Sequence, residues 1–468
     1  MKRVLIFLLV LTIPIGFLTG AAKAIGALQD DVVITPEHLY GDPGRVAGRR
    51  VQILTTLNDH IWWHTDYTAG EPGTAETTFH FSQQEKESEV AVDQMEFYLS
   101  VSSGVGMSTS GGDGFAFEDN GIGRLAGAVA DRTQPGETRD EELLLAEYMD
   151  DYPMTYRNFI LNDKYYIDEY YDDIDFFGSN NETKPAFDKW MELFRFPILE
   201  DQKIEVSLTK DYDGAVRELS FNLIDAPQIG FDSYVAQEGI YLSPFYRDWE
   251  GNPILTGAFP EGYGLYYIPF EVVHPDNVKA DGRTLSTVTY DFGALELVCG
   301  LAPEDKVVAM EANGDESQLH MVLLEDGMYR YSVLDLRSRQ IIRNMDIAPA
   351  EKDSDCWYRF FQEQELLYLG LGTKAALVDI SAEPKVEFVV AWPEEVTAYL
   401  PESILYTDGV LYMTALDWKD NEQIFYLAAC DENGLGYFGH YYSSLKRREA
   451  NSGNGYVSMD EIILMNNG

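Results

Sequence analysis

Cysteine is nearly absent from the chain. Cys299, Cys356 and Cys430 are the only three in 468 residues. They lie far apart in strand-like runs (LELVCG, DCWYRF, YLAAC) with no CxxC between them. That excludes a disulfide-stapled fold, and the three read as small buried hydrophobes. Histidine is almost as scarce, with 7 scattered among strands. No G-x-S-x-G elbow occurs, so no nucleophile and base can be paired from the sequence. Positive charge is the third shortage: 34 Lys and Arg face 79 Asp and Glu, a formal charge of −45. Such a chain repels a phosphate backbone and an anionic membrane surface, which excludes nucleic acid as a partner. The acidity reads first as a solvated surface that keeps a large protein soluble, with a cation-rich partner or Ca²⁺ as the lesser alternative. With so many acids, some carboxylate pair always falls at a distance suited to glycoside hydrolysis, so abundance removes that signal.

Apolar and aromatic residues are plentiful. Hydrophobic residues make up 45% of the chain and aromatics 13%, enough for a substantial core, and the Tyr, Phe and Val content favours strands. At the N-terminus, Lys2 and Arg3 precede an uncharged, mostly apolar run from Val4 to Ala22, followed by Ala22-Lys23-Ala24. This pattern predicts export: residues 1–24 are either a cleaved signal peptide or an uncleaved anchor, since a helix over the run is about 28 Å long, just enough to span. Either way the basic residues stay cytoplasmic and the rest is translocated, secreted or held by one span. No cysteine follows the apolar run to carry a lipid. Residues 25–50, polar and rich in Pro and Gly, read as a linker, and the folded body is expected over 51–468.

Within the body one pattern recurs. Asp291, Asp335 and Asp379 stand two equal steps of 44 residues apart, in YDFGALELVCGLAP (290–303), LDLRSRQIIRNMDIAP (334–349) and VDISAEPKVEFVVAWP (378–393). Each period holds four short strand signals, for example DKVVAMEA, QLHMVLL, MYRYSVLDL and RQIIRNMDI, separated by turn residues such as Asn313-Gly314 and Asp326-Gly327. A third period, SILYT to GYFGHYY, puts Asp431 in the equivalent place. Four strands in about 44 residues is the repeat of a β-propeller blade, a sheet that cannot bury its faces alone.

The turns Asp335-Leu336-Arg337-Ser338 and Asp379-Ile380-Ser381 resemble those of quinoprotein-like and WD40-like propellers, whose third strand ends in Asp, a hydrophobic residue and a Ser/Thr-containing turn; the usual turn glycine is missing here. The resemblance covers about 160 residues, is specific for architecture and implies no activity. The expected fold is all-β, a propeller of about seven four-stranded blades. NGYVSMDEIILMNN at the end supplies two more strands, and VQILTTL, IWWHTDYT and TTFHFSQ near the start are expected to complete the last blade, which removes exposed sheet edges.

Residues 135–200 read as a small, partly helical insertion: ETRDEELLLAEYMDDYPMTYRNF (137–159) opens helical, and PAFDKWMELFRFP (185–197) spaces Phe187, Trp190, Met191 and Phe194 as a helix does. Between them lies YYIDEYYDDIDFFG. Its Asp168, Glu169, Asp172, Asp173 and Asp175, with Tyr170 and Tyr171, form the densest acidic and aromatic stretch in the chain. The carboxylates could hold Ca²⁺ only if the backbone curled around it, and the D-x-D-x-D-G spacing is missing, so no metal is assigned and the bland reading is a solvated loop or edge strand. As a function it offers a binding surface. Other candidates read as structure. Asp211-Tyr212-Asp213-Gly214 is a β-turn. His60 and His64 flank Trp62 and Trp63 in a strand, about 13 Å apart and unable to share a metal, with the two tryptophans taken as a core residue and its surface neighbour. Gly104-Val105-Gly106 and the glycines after it lead into FAFEDNGIGRL, a strand and turn, not a phosphate cradle, and GLGTK (370–374) is a hairpin turn.

These readings point to an extracytoplasmic propeller that binds a protein or glycan without catalysis. The alternative is a cell-envelope enzyme, a glycan hydrolase or lyase or a cofactor-dependent dehydrogenase, on the same scaffold.

Overall fold

Hairpins form where the sequence marks them. Asp326-Gly327 and Asp408-Gly409 take φ of 51° and 72°, and 52° and 76°, the left-handed pair that a type I′ turn needs to match strand twist. The computed structural model describes residues 32–57, 61–81, 94–108, 117, 121–161, 165–172, 184–255, 257, 259–274, 284–351, 356–393, 396, 400–419, 422–445 and 457–466. The N-terminal run Val4–Ala22 with Lys2, Arg3 and Lys23, and also His60, Asp173 and Asp175, lie outside them. No helix among the described residues is long and apolar enough to cross a membrane.

Strands are numbered along the chain. First come β1 (Ile34–Gly41), β2 (Arg50–Leu57), β3 (Ile61–Thr68) and β4 (Thr74–Phe81). Next are β5 (Gln94–Val101), β6 (Gly104–Ser108), helix α1 (Gly121–Arg132), β7 (Thr138–Leu144), β8 (Met154–Leu161), β9 (Tyr165–Asp172), helix α2 (Lys184–Leu193), β10 (Lys203–Lys210) and β11 (Val216–Leu223). Then follow β12 (Gln228–Ala236), β13 (Gly239–Arg247), β14 (Gly264–Val273), β15 (Thr284–Leu285), β16 (Thr287–Tyr290), β17 (Glu296–Gly300), β18 (Lys306–Ala312), β19 (Gln318–Glu325), β20 (Met328–Asp335) and β21 (Gln340–Pro349). The last are β22 (Cys356–Phe361), β23 (Leu366–Leu371), β24 (Lys374–Asp379), β25 (Lys385–Ala391), β26 (Ser403–Thr407), β27 (Val410–Lys419), β28 (Glu422–Asp431), β29 (Gly434–Ser443) and β30 (Val457–Met465).

One unit comprises residues 1–90 and 350–468. It holds three sheets: β22-β23-β24-β25, β26-β27-β28-β29 with β1 added, and β30-β2-β3-β4. The first two bury Tyr368, Leu377, Met413 and Phe438 between them, and the second and third bury Tyr67, Phe425, Tyr441 and Ile462. The sheet shared by both chain ends is as expected, and among the described residues the C-terminal segment contributes one strand to it, β30, and the N-terminal segment three. The linker expected over 25–50 is corrected. Ile34–Gly41 is β1, antiparallel to β29, and Asp42 caps a 3-10 turn at Pro43–Val46. Its polar composition suits an edge strand that leaves most of its side chains in water. Trp62 and Trp63 are both buried, contrary to the one-in, one-out expectation, so both faces of β3 are shielded from solvent at that end.

The other unit comprises residues 91–349. It contains the four-stranded repeat β18-β19-β20-β21 and a second four-stranded sheet, β6-β11-β10-β7. Its largest sheet runs β15-β9-β8-β5-β12-β13-β14-β16, with β17 also on β14. Only Ser286 separates β15 from β16, so the sheet's path returns on itself. The expected count of about seven blades therefore does not describe residues 91–300. There the 44-residue period lapses, and Asp291 heads a 3-10 turn instead of ending a third strand.

Residues 135–200 are not a peripheral insertion. Strands β8 and β9 are members of the large sheet, β7 pairs with β10, and α2 with the residues just after it places Trp190, Phe194 and Phe196 in an aromatic core with Phe97, Phe231 and Tyr290. The opening of 137–159 is β7, not helix, since ETRDEELL alternates in exposure along its pairing with β10. The missed helix is α1, which begins inside the stretch FAFEDNGIGRL expected as strand and turn and runs beyond it; Ile122, Leu125, Ala126, Val129 and Ala130 bury one face.

In the β18–β21 repeat His320 is 5% exposed and its Nδ1 bonds the Tyr331 hydroxyl. Burial, helped by the Arg343 charge, pulls its pKa down to about 4. The folded protein thus disfavours the imidazolium. The associated stability is fully present above the unfolded value near 6.5 and is lost as pH falls from there toward 4. Melting temperature is expected to fall across that window, and less steeply in His320→Gln; parallel pH profiles would contradict this.

Candidate functional site

The acidic tyrosine segment is a strand, and a strand separates its neighbours onto two faces. β9 pairs antiparallel with β8, which pairs antiparallel with β5. Glu169 and Tyr171 turn inward. The Glu169 carboxylate accepts from the Tyr156 hydroxyl at 3.2 Å and the Val288 amide at 3.4 Å, and burial pushes its pKa up. Tyr171 packs on Phe187 with ring centroids 4.4 Å apart. These two are corrected from contact residues to parts of the interior.

Asp168, Tyr170 and Asp172 remain on the outer face. The register sets Tyr98, Arg157 and Tyr170 in one cross-strand row, with Glu96, Phe159 and Asp168 in the next and Ser100, Thr155 and Asp172 in a third. Tyr98 is 47% exposed and Tyr170 37%. Two strand spacings put these tyrosines about 10 Å apart. The Arg157 guanidinium lies 5.3 Å from the Phe159 ring centroid and 3.6 Å from the Glu96 carboxylate. Asp172 accepts from Ser102 Oγ at 2.8 Å and the Tyr170 hydroxyl at 3.3 Å, which pins the row's edge to the scaffold. Tyr98, Arg157 and Phe159 carry no signal of their own in the sequence. The alternation in QMEFYLSV places Tyr98 on the polar face of β5 and that in MTYRNFIL puts Arg157 and Phe159 on one face of β8, but only the long-range pairing of β5 with β8 brings those faces together.

Two polar groupings among the described residues that suggest chemistry are structural. Among the described residues no group of His, Cys, Asp and Glu could hold a metal. His274 Nδ1 bonds Ser286 Oγ at 2.8 Å, but Ser286 is 2% exposed and its hydroxyl donates to the Thr284 carbonyl, so it is no activated nucleophile. Asp232, pushed up to about 6 by burial, borders a cavity of about 10 Å³, room for little beyond a water.

The repeats β18–β21, β22–β25 and β26–β29 are each a four-stranded antiparallel meander, and the last two stack through an apolar face, so the chain is a propeller-type all-β protein. No protein-family model and no curated protein matches the sequence. Among solved structures, 39 chains match. One is a candidate 6-phosphogluconolactonase from Bacteroides fragilis, at 9% identity over 85% of this chain and 95% of that one, with a TM-score of 0.28. Another is the β-propeller domain of Cps50 (Swd1) from Myceliophteria thermophila, at 10% identity over 52% and 92%, TM-score 0.21. A third is the periplasmic gluconolactonase PpgL of Pseudomonas aeruginosa, at 11% identity over 55% and 67%, TM-score 0.22. At such values the class rests on the chain's own meanders.

Proposed function

We propose that this is an extracytoplasmic, non-catalytic binding protein, secreted or held by one N-terminal span, that docks a basic protein segment on the outer face of β5, β8 and β9. The observation that carries the reading is the exposed row Tyr98, Arg157 and Tyr170 on a sheet backed by an aromatic core. Tyrosine supplies large, rigid contact area, and such residues anchor protein interfaces. Asp168, Asp172 and Glu96 outnumber Arg157, so the face attracts positive charge and steers its approach.

The test uses full-length protein and a series of Lys/Arg-rich peptides. The charge of −45 attracts any such peptide, so the readout is the comparison between variants. Tyr98→Ala with Tyr170→Ala is expected to weaken binding about tenfold or more, and Asp168→Asn to flatten its salt dependence. Unchanged affinities would overturn the site. Oligosaccharide binding that is lost in the tyrosine variant would transfer the face to a glycan. A reporter active only in the cytoplasm, fused after Gly468, is expected to be silent; full signal would overturn export.

A further inference from the structure

The turn glycine missing after Asp335 has a structural counterpart. Arg339 occupies the left-handed region with φ of 53°, a conformation that costs a non-glycine residue about 1–2 kcal/mol. Its guanidinium sits 4.1 Å from the Tyr267 ring centroid and pairs with Glu296. Glycine could hold this turn without strain but could not cover Tyr267. The side chain closes one wall of a cleft of about 630 Å³, bounded by the β12–β13, β18–β19 and β20–β21 turns.

We propose that this cleft binds a neutral saccharide of one or two rings. Its volume lies within the range of small-molecule sites, about 300–1,000 Å³. Its walls are fixed before any ligand arrives: Asp315 accepts from the Ser317 amide at 3.0 Å, Asp335 from the Ser338 amide at 2.6 Å, and Glu316 from the Gln237 amide at 3.4 Å. Three lining side chains are left for a ligand. Gln237, Glu238 and Arg337 make no side-chain hydrogen bond among the described residues.

The balance of these groups selects the chemistry. Arg337 and the Gln237 amide donate, while Glu238 and the Gln237 carbonyl accept, and a hydroxyl does both. An anion is disfavoured because Glu238, Asp315, Glu316 and Asp335 outnumber Arg337 and Arg339, and Arg339 is already neutralised by Glu296. A metal lacks a ligand set among the described residues. The aromatic floor, Tyr241 and Tyr267 with centroids 4.8 Å apart, is buried beneath Arg339, so recognition is by hydrogen bonds along the rim.

Full-length protein titrated calorimetrically with maltose, cellobiose and N,N′-diacetylchitobiose is expected to bind at least one of them in preference to glucuronate and spermidine. Glu238→Gln and Arg337→Ala, both exposed turn positions, should each weaken that binding about 3- to 10-fold, the worth of one hydrogen bond, with melting temperature unchanged. Tyr98→Ala with Tyr170→Ala should leave it unaltered, which separates this site from the sheet face. Absence of binding by all three sugars at millimolar concentration, preference for a charged control, or wild-type affinity in both cleft variants would overturn the assignment.

Discussion

Removal of residues 454–468 is expected to unfold the unit that contains both chain ends, not merely to trim it. The deleted segment contains β30, which pairs with β2 from Arg50↔Met465 to Leu57↔Val457. Without it β2 becomes an open sheet edge, and three side chains buried below a tenth of their surface, Met459, Ile462 and Leu464, vanish from the core they share with Val51, Ile53 and Tyr441. At about 1.5–3 kcal/mol per buried side chain the loss is about 4.5–9 kcal/mol, comparable with the whole stability of a domain, about 5–15 kcal/mol. The melting temperature should fall by about 10 °C or more, or the cooperative transition should disappear. Ile462→Asp, which keeps the chain length, should move it in the same direction. A truncated protein that melts with the full chain would show that β30 carries no load.

The second large effect lies in the other unit. Trp190 on α2 is fully buried, with ring centroids 4.9 Å from Phe97, 5.1 Å from Tyr290 and 5.0 Å from Phe292. Phe97 belongs to β5 and Tyr290 to β16, so one indole ties distant members of the large sheet together. Trp190→Ala leaves a cavity that rigid strands cannot fill, and is expected to cost about 3–5 kcal/mol. The indole Nε1 has no hydrogen-bond partner among the described residues, so Trp190→Phe loses volume but no buried polar contact seen there and should cost distinctly less. Chemical denaturation of both variants decides this: equal losses would mean that packing at Trp190 is not what matters. Because Phe97 backs the strand that presents Tyr98, the alanine variant is also expected to weaken peptide binding to the outer face, while the phenylalanine variant retains it.

Local chemistry and strand alternation were legible because both are short-range. The aspartates at the ends of β20, β24 and β28 cap their own turns, bonding Ser338, Ser381 and Asn433 amides, and each such turn is complete within five residues. From these the blade repeat follows, as do the hairpins at Asp326-Gly327 and Gly372-Thr373 and the amphipathic α2. The segment 165–172 likewise stood out by composition.

What the tertiary structure alone decided is which of those residues face outward and what stands beside them. Alternation divides Glu169 and Tyr171 from Asp168, Tyr170 and Asp172, but only pairing with β8 tells which set meets the core. Tyr98 joins Arg157 and Tyr170 across a β5–β8 pairing that spans more than fifty residues, and no local rule fixes that register. The edge strand β1 resembled a linker because polar side chains in water look alike in both. Arg339 reads as an ordinary turn residue until Tyr267, 72 positions earlier, is found beneath it. Short-range preferences set the repeat, because each turn satisfies its own backbone. The candidate sites were set by long-range burial, because a side chain's surroundings depend on which strands share a sheet.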